Sequence, residues 1–413
     1  MTDQNGVPAS VAIIGGGIGG FTTAQELRRH GFDGTITIVD PDGTPYDRPP
    51  LSKQYLAGEL DRAGLGFVES DWYADQSVDL ITDRADRLLT SDGTVLLDSG
   101  HRLTADAIVL ATGGIPRHLP VPGADTAELL TLRTRADADR LREALLAGGP
   151  LAIVGAGLIG AEVASTAARL GVPTTLVDPV EVPLAPAVGP DLAEVLHQMH
   201  RTAGIELVTG VPTAVRRGGG GVALDIDGGT GAAGSRIEAA AVLVAIGIEA
   251  EPTLAESAGL DIDDGVLVDP GQRTTNQAVY AVGDAARIRF DDGTLRRRHE
   301  HWESAMHQGQ TAAATILGIE PPTHGAPWFW SDRHGVHVEA VGSMTVPGRD
   351  VLRVVDGAPQ FTFRVTDDGH LAGCVAIDGG IGVRAARRII DRRIVVDPDQ
   401  LADPGIALKK LAR

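Results

Sequence analysis

Cysteine is almost missing from this chain of 413 residues, since Cys374 is the only one. An intramolecular disulfide framework and a redox-active cysteine pair are therefore both excluded. Such low cysteine usage is typical of proteins that work in a reducing cytoplasm, where we expect this protein to be located. Cys374 lies in the apolar stretch LAGCVAI and is predicted to be a core residue.

Positive charge is also scarce, because 55 Asp and Glu outnumber 36 Lys and Arg and give a formal net charge of −19. This balance argues against nucleic acid or a membrane as a partner, since both attract clustered basic residues. No stretch reaches the roughly 18 uninterrupted apolar residues that a spanning helix needs. The longest candidate, Ala239 to Ile248, is interrupted at Gly247. The N-terminus carries Asp3 and no basic segment, so the apolar run after it is predicted to be a strand rather than a signal peptide.

Glycine, by contrast, is abundant with 53 residues, and it marks an internal repeat. A strand, a glycine-rich loop, a helix, a second strand and a terminal acid follow one another twice. The first copy runs from Ser10 to Asp40 around the loop GGGIGG, and the second from Leu151 to Asp178 around GAGLIG. In a GxGxxG loop the glycines let the backbone approach a pyrophosphate, which the free N–H groups of the following helix bind. One such loop is weak evidence, but two copies, each with its acid, predict two bound dinucleotides.

The remaining segments predict further parts of the fold. The alternating strand Val222 to Ile226 is bracketed by glycine-rich turns at 217–221 and 228–234, which predicts a small antiparallel meander. From Trp328 onward, alternating segments followed by the basic helical run Val383 to Arg393 predict a separate α+β domain.

Four further stretches are informative when taken together: YDRPPLSK at 46–53, ATG at 111–113, YAVGD at 280–284 and WFWSD at 328–332. With them, the chain resembles the flavoprotein reductases with two dinucleotide-binding domains. RPPLSK together with PWFWSD resembles the ferredoxin reductases of aromatic-ring dioxygenase and haem-thiolate monooxygenase systems. The resemblance covers nearly the whole chain.

The fold class implied is α/β, with two Rossmann-like domains of the glutathione-reductase type and an α+β C-terminal domain. We predict a discontinuous FAD-binding domain of 1–116 and 247–321, an NAD-binding domain of 117–246, and a C-terminal domain of 322–413.

The resemblance also implies which residues bind FAD. The first loop cradles the pyrophosphate, Asp40 accepts the adenosine ribose hydroxyls, and Asp284 binds the ribityl or phosphate portion. Trp302 contacts the flavin carbonyl region through its backbone N–H, and Trp328 or Trp330 borders the path to the electron acceptor. The full predicted FAD set is Gly15, Gly17, Gly20, Asp40, Arg48, Lys53, Ala111, Thr112, Gly113, Asp284, Trp302 and Trp330.

Lys53 and Glu162 are the predicted catalytic residues. A cation near the N5–O4 edge of the flavin stabilises the negative charge that the ring gains on reduction, which gives Lys53 a chemical role. The resemblance places Glu162, two residues beyond the second loop, as the ionic partner of this lysine. A buried pair carries a desolvation cost, so it needs a functional reason to exist.

The second loop, with Gly155, Gly157 and Gly160, is predicted to bind NADH. A carboxylate at Asp178 accepts the 2′ and 3′ ribose hydroxyls of NADH but repels the 2′-phosphate of NADPH. Glu181 adds a second negative charge, and the segment 179–190 contains no Lys, Arg or His. We therefore expect no basic residue near Asp178 and a strong preference for NADH.

The implied function is an NADH-dependent reductase that passes electrons one at a time to an acidic two-iron two-sulfur ferredoxin serving an oxygenase. Arg296, Arg297 and Arg298 form a rare basic run just before Trp302 and are the predicted docking edge. A second basic cluster, at 384–393, is the alternative edge. Two other functional hypotheses stay open: a rubredoxin reductase on the same scaffold, and a redox-sensing interaction protein resembling apoptosis-inducing flavoproteins.

The absence of suitable cysteines argues against disulfide reductases and cysteine-based NADH oxidases on this scaffold. No CxxxxC follows the first loop, and 35–53 contains no cysteine. A metal site is not predicted either. His299, Glu303 and His307 are spaced at i, i+4 and i+8, but the neighbouring Glu300 and His301 break a single-face ligand set.

Overall fold

The structure, a computed structural model, describes residues 7–218, 221–228 and 235–413. Its strands in chain order are β1 (Ser10–Ile14), β2 (Thr35–Val39), β3 (Val78–Ile81), β4 (Ala85–Leu89), β5 (Thr94–Leu97), β6 (Arg102–Thr104), β7 (Ala107–Leu110), β8 (Gly114–Pro116), β9 (Leu151–Val154), β10 (Thr174–Asp178), β11 (Glu206–Thr209), β12 (Val211–Gly218), β13 (Gly221–Asp227), β14 (Ser235–Ala239), β15 (Ala241–Val244), β16 (Ile248–Ala250), β17 (Val266–Val268), β18 (Val279–Ala281), β19 (Ala286–Ile288), β20 (Trp328–Arg333), β21 (Val336–Gly342), β22 (Arg349–Val355), β23 (Ala358–Val365) and β24 (Leu371–Ile377).

The α-helices in chain order are α1 (Ile18–Arg29), α2 (Gln54–Ala57), α3 (Trp72–Asp75), α4 (Arg135–Ala147), α5 (Leu158–Arg169), α6 (Ala185–Val188), α7 (Pro190–Thr202), α8 (Thr253–Ser257), α9 (Trp302–Leu317), α10 (Gly380–Asp391), α11 (Pro398–Ala402) and α12 (Leu408–Leu411). None of these helices is long and apolar enough to cross a membrane.

The chain forms two compact units, each built from three segments. The first comprises Met1–Arg48, Asp61–Ile115 and Ile248–His324, and the second Pro49–Leu60, Pro116–Gly247 and Gly325–Arg413.

The first unit is built on a five-stranded parallel sheet with the order β18-β7-β1-β2-β3. Strands β1 and β2 are short runs of mainly β-branched residues that are buried almost throughout, as expected for a parallel sheet covered on both faces. Helices α1 and α9 pack against each other, and Gly19 and Gly309 allow their close approach, because a Cβ on Gly309 would meet the Gly19 carbonyl oxygen. This sheet positions the first glycine-rich loop at the end of β1.

The second unit contains a four-stranded parallel sheet with the order β11-β10-β9-β15 and the three-stranded antiparallel sheet β12-β13-β14. The latter is the predicted meander, although 219–220 and 229–234, within its predicted turns, lie outside the described residues. Residues 328–412 add the antiparallel sheet β20-β21-β24-β23-β22, on which the amphipathic helix α10 packs. The helix ends at Asp391, two residues before the predicted end of the basic run.

The segment Pro49–Leu60 belongs to the second unit, whereas the predicted boundaries put it in the FAD-binding domain. Hydrogen bonds within that unit hold it in place. The Tyr55 hydroxyl donates to Asp139 Oδ1 at 2.7 Å, and Thr166 Oγ1 donates to the Ser52 carbonyl at 2.8 Å. The division into three domains itself stays a prediction.

Cys374 is fully buried in the core formed between α10 and its sheet, as predicted. Burial raises the pKa of its thiol far above the ordinary value, so the side chain remains an inert thiol.

Candidate functional site

The first glycine-rich loop is a tight connection between β1 and α1. Gly15 has φ +113°, and a Cβ there would collide with the Ala111 carbonyl oxygen, so only glycine fits. A Cβ on Gly20 would collide with the Gly15 carbonyl oxygen. Gly17 differs, because an added Cβ would meet no described atom within 4 Å. The loop is therefore closed on its protein side and open at Gly17, which is the shape that a pyrophosphate needs.

The second loop repeats this arrangement between β9 and α5. Gly155 has φ +103°, and a Cβ there would collide with the Ala245 carbonyl oxygen. A Cβ on Gly160 would collide with the Gly155 carbonyl oxygen, whereas one on Gly157 would again find no described atom within 4 Å. The sequence repeat is thus a structural repeat at the level of individual contacts.

Each loop is also tied to its terminal acid. Asp40 Oδ2 accepts from the Gly16 amide at 2.7 Å, and Asp178 Oδ2 accepts from the Ala156 amide at 2.8 Å. The Oδ1 atoms accept from the Asp42 and Val180 amides at 2.8 and 2.9 Å, respectively. A carboxylate has about four lone-pair sites, so each acid retains acceptors for ribose hydroxyls.

The pocket beside Asp178 is not purely acidic, and here the expectation of no nearby basic residue is wrong. The pocket is lined by Asp178, Glu181, His197 and Arg201 together with Thr209 and apolar residues. Burial lowers the pKa of His197, and Arg201 lowers it further, against the opposing effect of the acids. The two basic residues lie one turn apart on α7, beyond the segment 179–190 in which the sequence lacks them. Their i, i+4 spacing within α7 is the signal that could have found them.

The ATG segment ends β7 beside the first loop. The Ala111 amide donates to the Ile14 carbonyl at 2.8 Å, and Thr112 Oγ1 donates to the Glu251 carbonyl at 3.1 Å. The Glu251 amide in turn donates to the Gly113 carbonyl at 3.1 Å. These hydrogen bonds therefore fix the ATG segment within the first unit.

Asp284 and Trp302 also belong to the first unit. Asp284 lies in the turn after β18, where its carbonyl accepts from Arg298 Nη1 at 2.7 Å. Trp302 begins α9, and its Nε1 donates to Asp47 Oδ1 at 2.8 Å. The half-buried Arg48 follows Asp47 directly. The structure thus gathers these predicted FAD residues in the unit that holds the first loop.

Lys53 and Glu162 come together, as predicted, with 3.6 Å between Lys53 Nζ and Glu162 Oε1. Both lie in the second unit, whereas Lys53 was predicted within the FAD-binding domain. A residue that the sequence analysis missed lies closer: Asp332 Oδ2 is 2.9 Å from Lys53 Nζ. Glu162 is buried and accepts from Ser52 Oγ at 2.5 Å and Ser331 Oγ at 2.7 Å. Its place in the WFWSD stretch could have pointed to Asp332, but only the tryptophans of that stretch were predicted to have a role.

The tryptophans of that stretch stack on each other along β20. Their ring centroids are 4.9 Å apart, and Lys53 Nζ lies 5.7 Å from the centre of the Trp330 ring. Next to them, Arg333 is almost fully buried. Burial lowers the pKa of Arg333 to about 10, although Glu162 and Asp332 oppose the shift. The region around Lys53 is therefore densely charged.

The basic run before α9 divides into two kinds of residue. Arg296 and Arg297 are exposed, and Arg296 lies over the Phe290 ring at 5.2 Å. Arg298 points inward with a side chain only 4% exposed, and its Nη2 lies 3.0 Å from both Asp264 and Glu300. Its expected place on the docking edge is therefore wrong, because its charge is already neutralised within the unit.

The neighbouring histidines add little positive charge to this run. Burial lowers the pKa of His299, and the adjacent arginines lower it further. Burial also lowers the pKa of His301, and His299 adds to this effect. On α9, the His307 ring stacks on that of His324 at 3.9 Å. Within the described parts of the chain, no three His, Cys, Asp or Glu residues are grouped to hold a metal ion.

Comparison with known proteins agrees with this geometry. Residues 9–309 match the family described as pyridine nucleotide-disulphide oxidoreductase, and residues 328–412 match the family described as reductase C-terminal. The chain belongs to the pyridine nucleotide-disulphide oxidoreductase family. It is therefore an oxidoreductase with FAD and NAD(H) as cofactors, and the predicted α/β fold class is confirmed.

Individual relatives are similar over almost their full length. The chain is 36% identical over 407 residues to the ferredoxin reductase component of chlorobenzene dioxygenase from a Cupriavidus strain, covering 98% of this chain and 97% of the relative. It is 31% identical over 412 residues to putidaredoxin reductase from Pseudomonas putida, covering 97% and 96%. Among solved structures, the covalent putidaredoxin reductase–putidaredoxin complex matches with a TM-score of 0.89, 30% identity and 97% coverage of both chains. The predicted resemblance to this group of reductases is thereby confirmed.

Proposed function

We propose that this family member is an NADH-dependent reductase that passes electrons from NADH through FAD to a two-iron two-sulfur ferredoxin serving an oxygenase. The observation that carries the proposal is the duplicated loop and acid, with one copy in each unit. The names of the similar proteins support ferredoxin as the acceptor, since they are ferredoxin reductase components of dioxygenases and a putidaredoxin reductase. FAD supplies the chemistry that links a two-electron hydride donor to a one-electron acceptor.

The two loops are assigned by what surrounds them. In the first unit, Gly17, Asp40 and Asp284 would hold FAD, and the Trp302–Asp47 hydrogen bond would fix the start of α9. In the second unit, Gly157 and Asp178 would hold NADH. The fit rests on the open face at each central glycine and on the free acceptor sites of each acid.

Lys53 and Glu162 would be catalytic residues in this reaction. The Lys53 ammonium stabilises the negative charge that the flavin gains on reduction, because an opposite charge placed in advance lowers the energy of the charged product. Glu162 is buried and accepts hydrogen bonds from two serines.

The docking surface for ferredoxin would be Arg296 and Arg297, without Arg298. These two exposed guanidinium groups are a local positive charge on a chain with a net charge of −19. An acidic ferredoxin would be repelled by most of this chain and attracted to such a spot.

The assignment of the loops can be tested with valine at each open glycine. Gly17 and Gly157 have φ of −69° and −66°, which valine can adopt, and the added side chain meets no described protein atom at its Cβ. We expect Gly17→Val to be purified without FAD. We expect Gly157→Val to keep FAD but to bind NADH at least about tenfold more weakly, because the valine blocks the pyrophosphate.

Anaerobic stopped-flow measurements test the function itself. Wild-type protein mixed with NADH should show rapid flavin bleaching, and added two-iron ferredoxin should be reduced with full turnover. A long-lived flavin–nicotinamide complex that reduces no ferredoxin would instead support a redox sensor. Faster reduction of rubredoxin than of any two-iron ferredoxin would support the rubredoxin reductase.

A further inference from the structure

The environment of Lys53 contains a second carboxylate that the proposed mechanism does not yet use. Asp332 Oδ2 lies 2.9 Å from Lys53 Nζ, compared with 3.6 Å for Glu162. The Lys53 side chain is only 12% exposed, whereas that of Asp332 is 38% exposed, so the contact is shielded from water mainly on the lysine side. A partly buried charge pair is screened less by salt than an exposed one. Asp332 is therefore the stronger anchor of the ammonium.

Glu162 is less able to serve as that anchor. Its Oε2 accepts from Ser52 Oγ, and its Oε1 accepts from Ser331 Oγ and from the Asp332 amide at 3.2 Å. Three of its roughly four lone-pair sites are thus taken by neutral donors. These donors compete with Lys53, whose Nζ lies 3.6 Å from Glu162 Oε1.

Asp332 also contacts His337 through its second carboxylate oxygen. His337 Nδ1 lies 2.6 Å from Asp332 Oδ1, and the two residues face each other across the β20–β21 hairpin. Burial raises the pKa of Asp332, but the hydrogen bonds with His337 and Lys53 outweigh burial and lower it below its ordinary value. Asp332 is therefore a fixed anion with one oxygen for each partner.

Lys53, Asp332 and His337 contact one another in this order, from a largely buried lysine to a surface histidine. His337 is 43% exposed, and its Nε2 lies 3.9 Å from Glu339. On the other side of Lys53, the Trp330 ring lies 5.7 Å from Nζ. The ammonium is thus bounded by two carboxylates and one ring face, and Asp332 makes its shortest ionic contact.

We propose that Asp332 and His337 are positioning residues for Lys53: Asp332 fixes the place of the ammonium, and His337 fixes the orientation of the Asp332 carboxylate. This role rests on the proposed function in so far as Lys53 acts on the flavin. The position of Lys53 itself does not depend on that function, so the two can be tested separately.

Lysine-specific labelling tests the positioning without any turnover. Lysine occurs only at positions 53, 409 and 410, and Lys409 and Lys410 are exposed, so they provide an internal reference. In the purified FAD-bound protein, we expect reductive methylation of Lys53 to be slow. Asp332→Asn should speed it at least about threefold relative to the reference lysines, because the ammonium loses its charged hydrogen-bond partner. Asparagine is accommodated because the Asp332 side chain is 38% exposed.

Three further variants isolate the role of His337. His337→Ala should also speed the labelling of Lys53, whereas His337→Gln should restore slow labelling, since its amide can still donate to Asp332. The matched control is His370→Gln, which removes a histidine 3.1 Å from Asp368 elsewhere in the same unit. Unchanged labelling of Lys53 in both Asp332→Asn and His337→Ala would overturn the proposal.

A double-mutant cycle then connects positioning to flavin reduction. At saturating NADH, Asp332→Asn should slow flavin reduction about tenfold with unchanged FAD content, but should change the rate less than about twofold in a Lys53→Met background. Equal effects in both backgrounds would show that Asp332 does not act through Lys53. If Lys53→Met alone left flavin reduction unchanged, the proposed role of Lys53 would fail while the labelling result would still decide the positioning.

Discussion

At the scale of single residues, Asp40 and Asp178 each combine two tasks. Each holds its own glycine-rich loop through a backbone amide, and in the proposed function each would also offer its remaining lone pairs to a ribose. Removing either carboxylate would therefore disturb the loop as well as the ribose contact. The selectivity of the second site is better tested at its neighbours, Glu181 and Arg201, which line the pocket without holding the loop.

We expect the wild-type protein to prefer NADH over NADPH by at least about 100-fold in kcat/KM, which corresponds to about 2.7 kcal/mol. Glu181→Gln should narrow this preference, because one negative charge facing the 2′-phosphate is removed. Arg201→Ala should widen it, because the phosphate loses the one guanidinium that lines the described pocket. Steady-state kinetics with both coenzymes measure these changes.

Rates with NADH serve as the control in the same experiment. Neither substitution should change them more than about twofold, since neither residue is needed for the 2′-hydroxyl. Equal efficiency of the wild-type protein with both coenzymes would show that the basic residues on α7 outweigh the two acids.

At the scale of secondary-structure elements, the sequence predicts what is local and misses what is brought together by the fold. Both strand–loop–helix–strand copies could be read directly, because spacing and glycine pattern are properties of contiguous sequence. The ion pair between Lys53 and Glu162 was predictable only through the family resemblance. Asp332 lies 279 residues from Lys53, and no periodicity in either segment points to the other.

Arg201 and Arg298 show two other limits of predicting contacts from the sequence. Arg201 could not be predicted from the loop after β10, because the pocket is completed by the later helix α7. Arg298 was assigned to the surface with its neighbours because a basic run is normally solvated. The acids that neutralise it, Asp264 and Glu300, become its partners only in the folded unit.

A pair of histidines links α7 to the turn between β20 and β21, and it predicts a pH dependence of stability. His200 is 2% exposed, and its Nδ1 lies 2.8 Å from His334 Nε2. Burial lowers the pKa of His200 from 6.5 to about 3, and the neighbouring His334 and Arg333 lower it further. The folded state therefore keeps His200 neutral where the unfolded state binds a proton.

The free energy of unfolding therefore depends on pH. Between pH 6.5 and about 3 the unfolded state holds more protons, so the free energy of unfolding falls as the pH falls through this window. At pH 5 the contribution of His200 is a loss of about 2 kcal/mol relative to pH 7. His200→Asn keeps an acceptor for His334 but has no titrating ring. Its melting temperature should therefore drop less between pH 7 and pH 5 than that of the wild type.

The matched control for this experiment is His370→Asn, which removes a partly exposed histidine from the same unit. It should leave the pH dependence of the melting temperature close to that of the wild type. Identical drops for the wild type and His200→Asn would contradict a neutral, buried His200.

At the scale of the whole molecule, the charge distribution sets how a partner protein can approach. A chain with a net charge of −19 repels an acidic partner over most of its surface, and salt screens this repulsion within about 10 Å at 0.1 M. Arg296 and Arg297 are exposed exceptions in the unit that holds the first glycine-rich loop. Steering charges of this kind act mainly on the rate of encounter.

Encounter with the partner and reduction of the flavin can therefore be changed by different substitutions. Converting Arg296 and Arg297 to alanine should slow ferredoxin reduction at low salt about tenfold and weaken its dependence on salt, while flavin reduction by NADH stays unchanged. Lys53→Ala should do the reverse, because it removes a charge that acts on the flavin and not on the partner. Stopped-flow measurement of the two half-reactions over a range of salt concentrations separates these effects.

The controls follow from the different environments of the arginines. Arg102→Ala removes an exposed arginine from β6 and should leave both half-reactions unchanged. Arg298→Ala should lower the melting temperature, because Asp264 and Glu300 lose their shared partner. Normal ferredoxin kinetics in the Arg296, Arg297 double variant at every salt concentration would place the docking surface elsewhere. The basic face of α10, with Arg384 and Arg388, would then be the next surface to test, because it carries the other basic run of this acidic chain.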